Sequence, residues 1–251
     1  MRWLTLPRTW KADDIMAKRL IAFDMDGTLT QHKSKLEEMN YLALKALSEK
    51  YKLLMIGAGS CERIYHQLND FPIEIIGNYG LQHSAIVDGE FKILESLTVA
   101  VDRDFVERTV TMLRKEFGFE KFYGDNVEFH ASGAITFPVL GTAAPLDEKL
   151  AYDPDRMKRR KVYARVCEAF AGYNVFIGGS SSFDITQGKY NKYYALERFC
   201  KENGYTLDEA IYFGDDFGEG GNDSHVRLNG VDCVEITDYR TFAERSKFLL
   251  D

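Results

Sequence analysis

The sequence predicts an α/β protein: a parallel-sheet core with helices on both faces, carrying an inserted α+β unit with an antiparallel sheet. Three observations predict it. Strand and helix patterns alternate at the start of the chain, give way after Gly80 to hairpin patterns around Asp88-Gly89 and Ser132-Gly133, and resume from Asn191. The apolar runs of the alternating parts end in acids or glycines, as buried parallel strands do where their carboxyl ends carry a site. At 251 residues the chain is also long for one average domain. The expected division is a core segment over 1–81, the insert over 82–186 and a second core segment over 187–251.

Leu20-Ile21-Ala22-Phe23 forms the first strand and runs into Asp24-Met25-Asp26-Gly27-Thr28. A helix follows over about 35–49, where Leu36, Met39, Leu42, Leu44 and Leu47 stand near helical spacing. Leu53-Leu54-Met55-Ile56 is the second strand, closed by Gly57-Ala58-Gly59-Ser60. A helix to about residue 68 and a strand over 73–76 complete the opening β-α-β-α-β unit. Beyond Gly80, residues 81–94 read as a hairpin belonging to the insert, and 127–129 with 135–137 as another. Helices are expected over 102–117 and 154–170, then one strand over 174–185 leading back to the core. A helix to about 203, a strand over 210–213 ending in Gly214-Asp215-Asp216, a strand at Val234 and a closing helix finish the chain.

Acids outnumber bases 39 to 32, a net charge of −7, which argues against nucleic acid as the partner. The one basic run, Lys158-Arg159-Arg160-Lys161, reads as a solvated helix face. Cys61, Cys167, Cys200 and Cys233 lie far apart, suggesting reduced thiols and neither disulfides nor a zinc site. Charges interrupt the first 20 residues and no apolar run reaches 18, so a cytoplasmic protein without membrane contact is expected.

Asp24 and Asp26 stand two apart at the end of a buried strand, so both carboxylates face the same way. Alone, this spacing suits a turn or a cap as well as a site. Continued by Gly27-Thr28-Leu29-Thr30, it resembles the first motif of the haloacid dehalogenase-type (HAD) superfamily. The further motifs of that superfamily are matched by Ser60, by Lys192, and by Gly214-Asp215 with Asn222-Asp223. Ala58-Gly59-Ser60 departs from the commoner Thr-Gly-Arg form, Ser60 also reads as a helix N-cap, and Lys189 competes with Lys192. The resemblance implies a Rossmann-like core with an inserted cap and phosphoryl transfer through a phosphoaspartate on Asp24. It gives Asp26 the part of acid and base, and Ser60, Gly59 and Lys192 the part of holding the phosphoryl group. Mg²⁺ is implied at Asp24, Asp215 and the Asp26 carbonyl, with Asp223 directly or through water. Asp216 reads equally as another metal-site acid or a loop cap.

The chain is closer still to the eukaryotic-type phosphomannomutases, through Glu62-Arg63-Ile64, Gln67-Leu68, Asn78-Tyr79-Gly80-Leu81, Ile177-Gly178-Gly179 and Ser182-Phe183-Asp184. That resemblance implies a subfamily IIB type cap, a small sugar phosphate as substrate, and a homodimer through the cap as one possibility; Ser182 and Asp184, two apart on one strand face, suit sugar hydroxyls or a distal phosphate. It also implies arginines for the distal phosphate. Their stations hold His130, Thr142 and Lys149, and Lys33 or a neighbour stands in for another, with no arginine between Arg114 and Arg156. His130 reads as a packed or surface histidine as readily as a ligand. The missing arginines favour a sugar-phosphate phosphatase, with phosphomannomutase as the alternative. A two-component receiver is excluded by motif order, because the acceptor aspartate lies here on the first core strand. A non-catalytic sugar-phosphate sensor is opposed by the complete acid set.

Overall fold

The computed structural model describes residues 15–32 and 34–250; Lys33 lies outside them. The core opens with β1 (Leu20–Phe23), α1 (Glu38–Ser48), β2 (Lys52–Ile56), α2 (Cys61–Gln67) and β3 (Glu74–Gly77). Every residue of β1 is 0% exposed, and its alternating side chains feed two separate cores. Ile21 and Phe23 pack with Leu44 and Leu47 of α1. Leu20 and Ala22 face Ala195, Leu196 and Phe199 of a helix from the second core segment, described below. Burial on both faces is why these runs are continuously apolar rather than alternating.

The hairpin of β4 (Gln82–Val87) and β5 (Glu90–Ser96) turns at Asp88 and Gly89, both at positive φ (55° and 81°), the backbone of a tight hairpin turn. It corrects the expectation that this hairpin belongs to the insert, because β4 pairs antiparallel with β3 and extends the core sheet. The pairing is open to it because β3 would otherwise be an unpaired edge.

The cap follows with α3 (Arg103–Phe117), β6 (Glu128–Phe129), β7 (Ile135–Pro138), α4 (Leu146–Tyr152), α5 (Met157–Ala169), β8 (Tyr173–Gly178) and β9 (Ser182–Gln187). Its sheet has the order β6-β7-β9-β8. Val106, Val110 and Leu113 of α3 and Val166 of α5 cover it. Two expectations are corrected here. The single strand over 174–185 is an antiparallel pair, because Gly179, at φ 49°, reverses the chain between β8 and β9. The single helix over 154–170 begins only at Met157, behind the separate α4, because Arg156 stands at φ 61°.

The core resumes with α6 (Lys192–Asn203), β10 (Ala210–Gly214), α7 (Ser224–Leu228), β11 (Asp232–Glu235) and α8 (Phe242–Arg245). The seven-stranded sheet runs β11-β10-β1-β2-β3-β4-β5. β1 therefore lies between β10 and β2, which gathers the loops after all three at one carboxyl edge. The cap rests on that edge, where the Ile177 amide donates to the Gly220 carbonyl at 2.7 Å.

Candidate active site

Between core and cap lies a cavity of about 560 Å³. Asp24, Asp26, Gly59, Asp215 and Asn222 line its core side, and His130, Thr136, Lys149, Arg156, Ser182 and Asp184 its cap side.

Asp24 directly follows β1 and is 5% exposed. Its Oδ1 accepts from Lys192 Nζ at 2.5 Å and its Oδ2 from the Thr28 hydroxyl at 3.3 Å. Lys192 is wholly buried and also donates to Asn222 Oδ1 at 3.0 Å and Asp223 Oδ1 at 2.8 Å. Asp223 is fixed in turn by the Tyr212 hydroxyl at 2.7 Å and by the Asp215 and Asp216 amides, both at 3.1 Å. Lys189 instead lies exposed over the rings of Tyr190 and Tyr194, so Lys192 is the lysine brought to the acids.

Asp26 follows on a tight loop in which the Gly27 amide donates to the Thr30 carbonyl at 2.8 Å. Gly27 stands at φ 99°, and a Cβ there would lie 2.5 Å from Asp215 Oδ2, so the loop and the Asp215 carboxylate both require glycine. Gln67 donates to Asp26 Oδ1 at 2.8 Å, while His32 Nδ1 and Arg63 each approach Asp26 Oδ2 to 3.7 Å.

One oxygen from each of Asp24, Asp215 and Asp223 falls within 4.8 Å of the others. Burial, with Asp223 and Asp215 adding and Lys192 opposing, pushes the Asp24 carboxyl up to about 8. Burial likewise takes Asp215 to about 6 against the opposing pull of Arg156. Such a cluster keeps its full negative charge only beside added cation, and its all-oxygen donor set suits Mg²⁺.

Ser60 takes the helix N-cap place that the sequence also suggests. Its hydroxyl accepts from the Arg63 amide at 3.3 Å as the N-cap of α2, and the cavity wall here is Gly57, Ala58 and Gly59. A Cβ on Gly59 would meet the Arg63 guanidinium at 2.3 Å, so the glycine leaves the space in which that cation lies.

On the cap side, Ser182 donates to the Gly178 carbonyl at 3.0 Å, His130 Nε2 meets the Thr136 hydroxyl at 2.9 Å, and Lys149 donates to the Thr142 carbonyl at 2.9 Å. The basic run is only half solvated. Lys158 and Lys161 are exposed, but Arg159 is 0% exposed and paired with Asp153, and Arg160 reaches Asp216 at 2.8 Å. Arg156 pairs with Asp215 at 2.7 Å and Asp216 at 3.2 Å. Asp216 is thus held by two cap arginines, outside the acid triad.

Sequence reasoning passed over Arg63, Gln67, Tyr79 and Arg156 as site residues. Three of them stand inside the quoted family motifs, and Arg156 is the first arginine after the empty stretch.

The sequence profile described as "Eukaryotic phosphomannomutase" matches residues 42–231. The chain belongs to this family. It is 24% identical over 230 residues to the phosphomannomutase of Encephalitozoon cuniculi, covering 85% of this chain and 88% of that protein. It is 27% identical over 219 residues to that of Triticum aestivum, covering 82% and 85%. In fold it is similar to the IMP-nucleotidase of Plasmodium falciparum, with a TM-score of 0.70 at 14% identity over 94% of this chain and 70% of that one. A HAD-superfamily phosphatase of Bacteroides thetaiotaomicron gives 0.58 at 15% identity over 98% and 99%. The fold is therefore that of the HAD-type phosphatases, a parallel-sheet core with an inserted antiparallel cap. Among the described residues, no helix is long and apolar enough to cross a membrane.

Proposed function

We propose that this chain isomerises hexose phosphates, mannose 1- and 6-phosphate first, by passing the phosphoryl group through Asp24. The observation that carries this reading is the single cavity with two unlike walls. Its floor carries Asp24, backed by the buried Lys192, and Asp26, and the wall opposite offers the hydrogen-bonding pair Ser182 and Asp184. Membership of the phosphomannomutase family supports a mutase over the phosphatase that the missing arginines favour.

An Asp24 oxygen attacks phosphorus, the bond from phosphorus to the sugar oxygen breaks, and Asp26 gives its proton to that oxygen. In the return step a hexose monophosphate presents its free 1- or 6-hydroxyl, which yields its proton to Asp26 and attacks phosphorus, freeing Asp24 and leaving a bisphosphate that reacts again through its other phosphate. Lys192, on Asp24 at 2.5 Å, spreads the charge of the transferring group. Arg63, over Gly59, brings a second cation to the phosphoryl side, a part expected of the Ser60 hydroxyl. Asp24, Asp215 and Asp223 would hold Mg²⁺, which supplies charge neutralisation when bound. The cap excludes water while the sugar turns over.

A second reading, a sugar-phosphate phosphatase, rests on His130, Thr142 and Lys149 standing where bidentate arginines are expected. Incubation with Mg²⁺ and hexose 1- and 6-phosphates, with and without a hexose 1,6-bisphosphate, separates the two. Isomer without free phosphate is expected; free phosphate without isomer would replace the mutase with the phosphatase.

A further inference from the structure

Tyr79 lines the cavity yet takes no part in the chemistry above. It follows β3 with Asn78, and the two stand at φ 56° and 50°, the left-handed region that a bulky aromatic rarely occupies. The effect of that turn is to send a side chain of the core up into the cap. The ring is 1% exposed and stacks on Phe176 of β8, with centroids 4.9 Å apart and an interplanar angle of 14°. Its hydroxyl donates to Asp184 Oδ2 at 2.8 Å. The other Asp184 oxygen accepts from the Thr136 hydroxyl at 3.3 Å, and Thr136 is itself tied to His130. Asp184 is therefore oriented by one donor from the core and one from the cap. Burial holds the Tyr79 phenol well above its ordinary value, so it stays a donor throughout the neutral range.

We infer that Tyr79 is a positioning residue for sugar recognition: its hydroxyl aims the Asp184 carboxylate at the substrate's hydroxyls, so the sugar site is complete only with the cap seated on the core. This rests on the hexose-phosphate reading above. A substrate with no sugar ring gains little from Asp184, so the effect of losing Tyr79's hydroxyl must depend on the substrate. A hydrogen bond to a charged acceptor corresponds to roughly ten- to hundred-fold in an equilibrium or rate ratio.

The test compares kcat/KM for mannose 6-phosphate and for p-nitrophenyl phosphate in the wild type and in Tyr79→Phe, which keeps the ring stack. The ratio of the two, sugar over aryl, is expected to fall at least about tenfold. Thr136→Val, which removes the other donor, is expected to shift the ratio the same way. Combining Tyr79→Phe with Asp184→Asn should cost little beyond Asp184→Asn alone, because the hydroxyl acts through that carboxylate. Equal losses on both substrates, or losses that multiply in the double variant, would overturn the inference and leave hexose-phosphate turnover standing. Wild-type enzyme that hydrolyses the aryl phosphate but ignores hexose phosphates would overturn both.

Discussion

Replacing Arg159 by methionine isolates what the buried cap ion pair does. Arg159 is 0% exposed and Asp153 1%. The guanidinium donates to Asp153 Oδ2 at 2.9 Å and to the carbonyls of Gly178, Gly179 and Ser182 at 2.7, 3.2 and 2.9 Å. Methionine fills much of the volume but leaves the buried Asp153 carboxylate without its cation and takes a donor from three carbonyls of the turn that presents Ser182 and Asp184, of which only that of Gly178 keeps the Ser182 hydroxyl. Removing one partner of a buried pair costs about 3–5 kcal/mol, and we expect about 4 kcal/mol at pH 7. Asp153→Asn in the same chain should recover at least about 1 kcal/mol by removing the stranded charge.

The pH dependence has a definite sign. Burial alone would raise the Asp153 carboxyl, but hydrogen bonds from Arg159 and from the Lys158 and Arg159 amides hold it below its ordinary value. In the wild type the pair therefore stabilises the fold above the unfolded value of about 3.9 and is lost as pH falls through the lower folded value. In Arg159→Met burial dominates, the carboxyl protonates more readily, and the deficit relative to wild type should shrink from pH 7 to pH 5. Urea unfolding followed by circular dichroism at the two pH values measures this. A deficit under about 1 kcal/mol, or a double variant no more stable than Arg159→Met, would refute the stranded-charge reasoning.

Asp24→Asn should fold, since Thr28 and Lys192 can still bond to the amide, and should lose turnover; Mg²⁺-dependent activity that persists removes Asp24 as nucleophile. In EDTA the wild type should lose stability as pH rises from about 4 towards 8, because Asp24, with a folded value of about 8, binds a proton that the unfolded chain releases. Thermal melts of Asp24→Asn should show a shallower decline over that range. Adding Mg²⁺ should raise the wild-type melting temperature, and the gain should shrink in Asp215→Asn and Asp223→Asn. Gly59→Ala should displace the Arg63 guanidinium, which a Cβ would meet at 2.3 Å, and lower kcat/KM while leaving the melting temperature within a few degrees; unchanged turnover would remove Arg63 from phosphoryl binding.

Much of the core was legible because its signals are local. A buried parallel strand is a continuous apolar run, so β1, β2 and β10 stand out, and the acids at their ends follow directly. Lys192 outranks Lys189 by its place at a helix start, and it donates to Asp24 and Asp223. The hairpin over 82–96 was legible as a hairpin but not as part of the core sheet, since which edge a strand joins is decided by a partner far along the chain. The split before α5 depends on one residue, Arg156, in a backbone conformation that its side chain does not announce.

The sequence by itself determined the α/β alternation, the insertion of a cap and the identities of Asp24, Asp26, Asp215 and Asp223, because residue type and spacing along single strands suffice for these. The tertiary structure decided that Arg63 lies over Gly59, that Arg159 is buried while its neighbours Lys158 and Lys161 are exposed, and that Tyr79 crosses from core to cap to hold Asp184. The last of these joins residues 105 apart in the chain and is set by how the cap sits on the sheet edge, while the burial of Arg159 follows from the polar partners it finds.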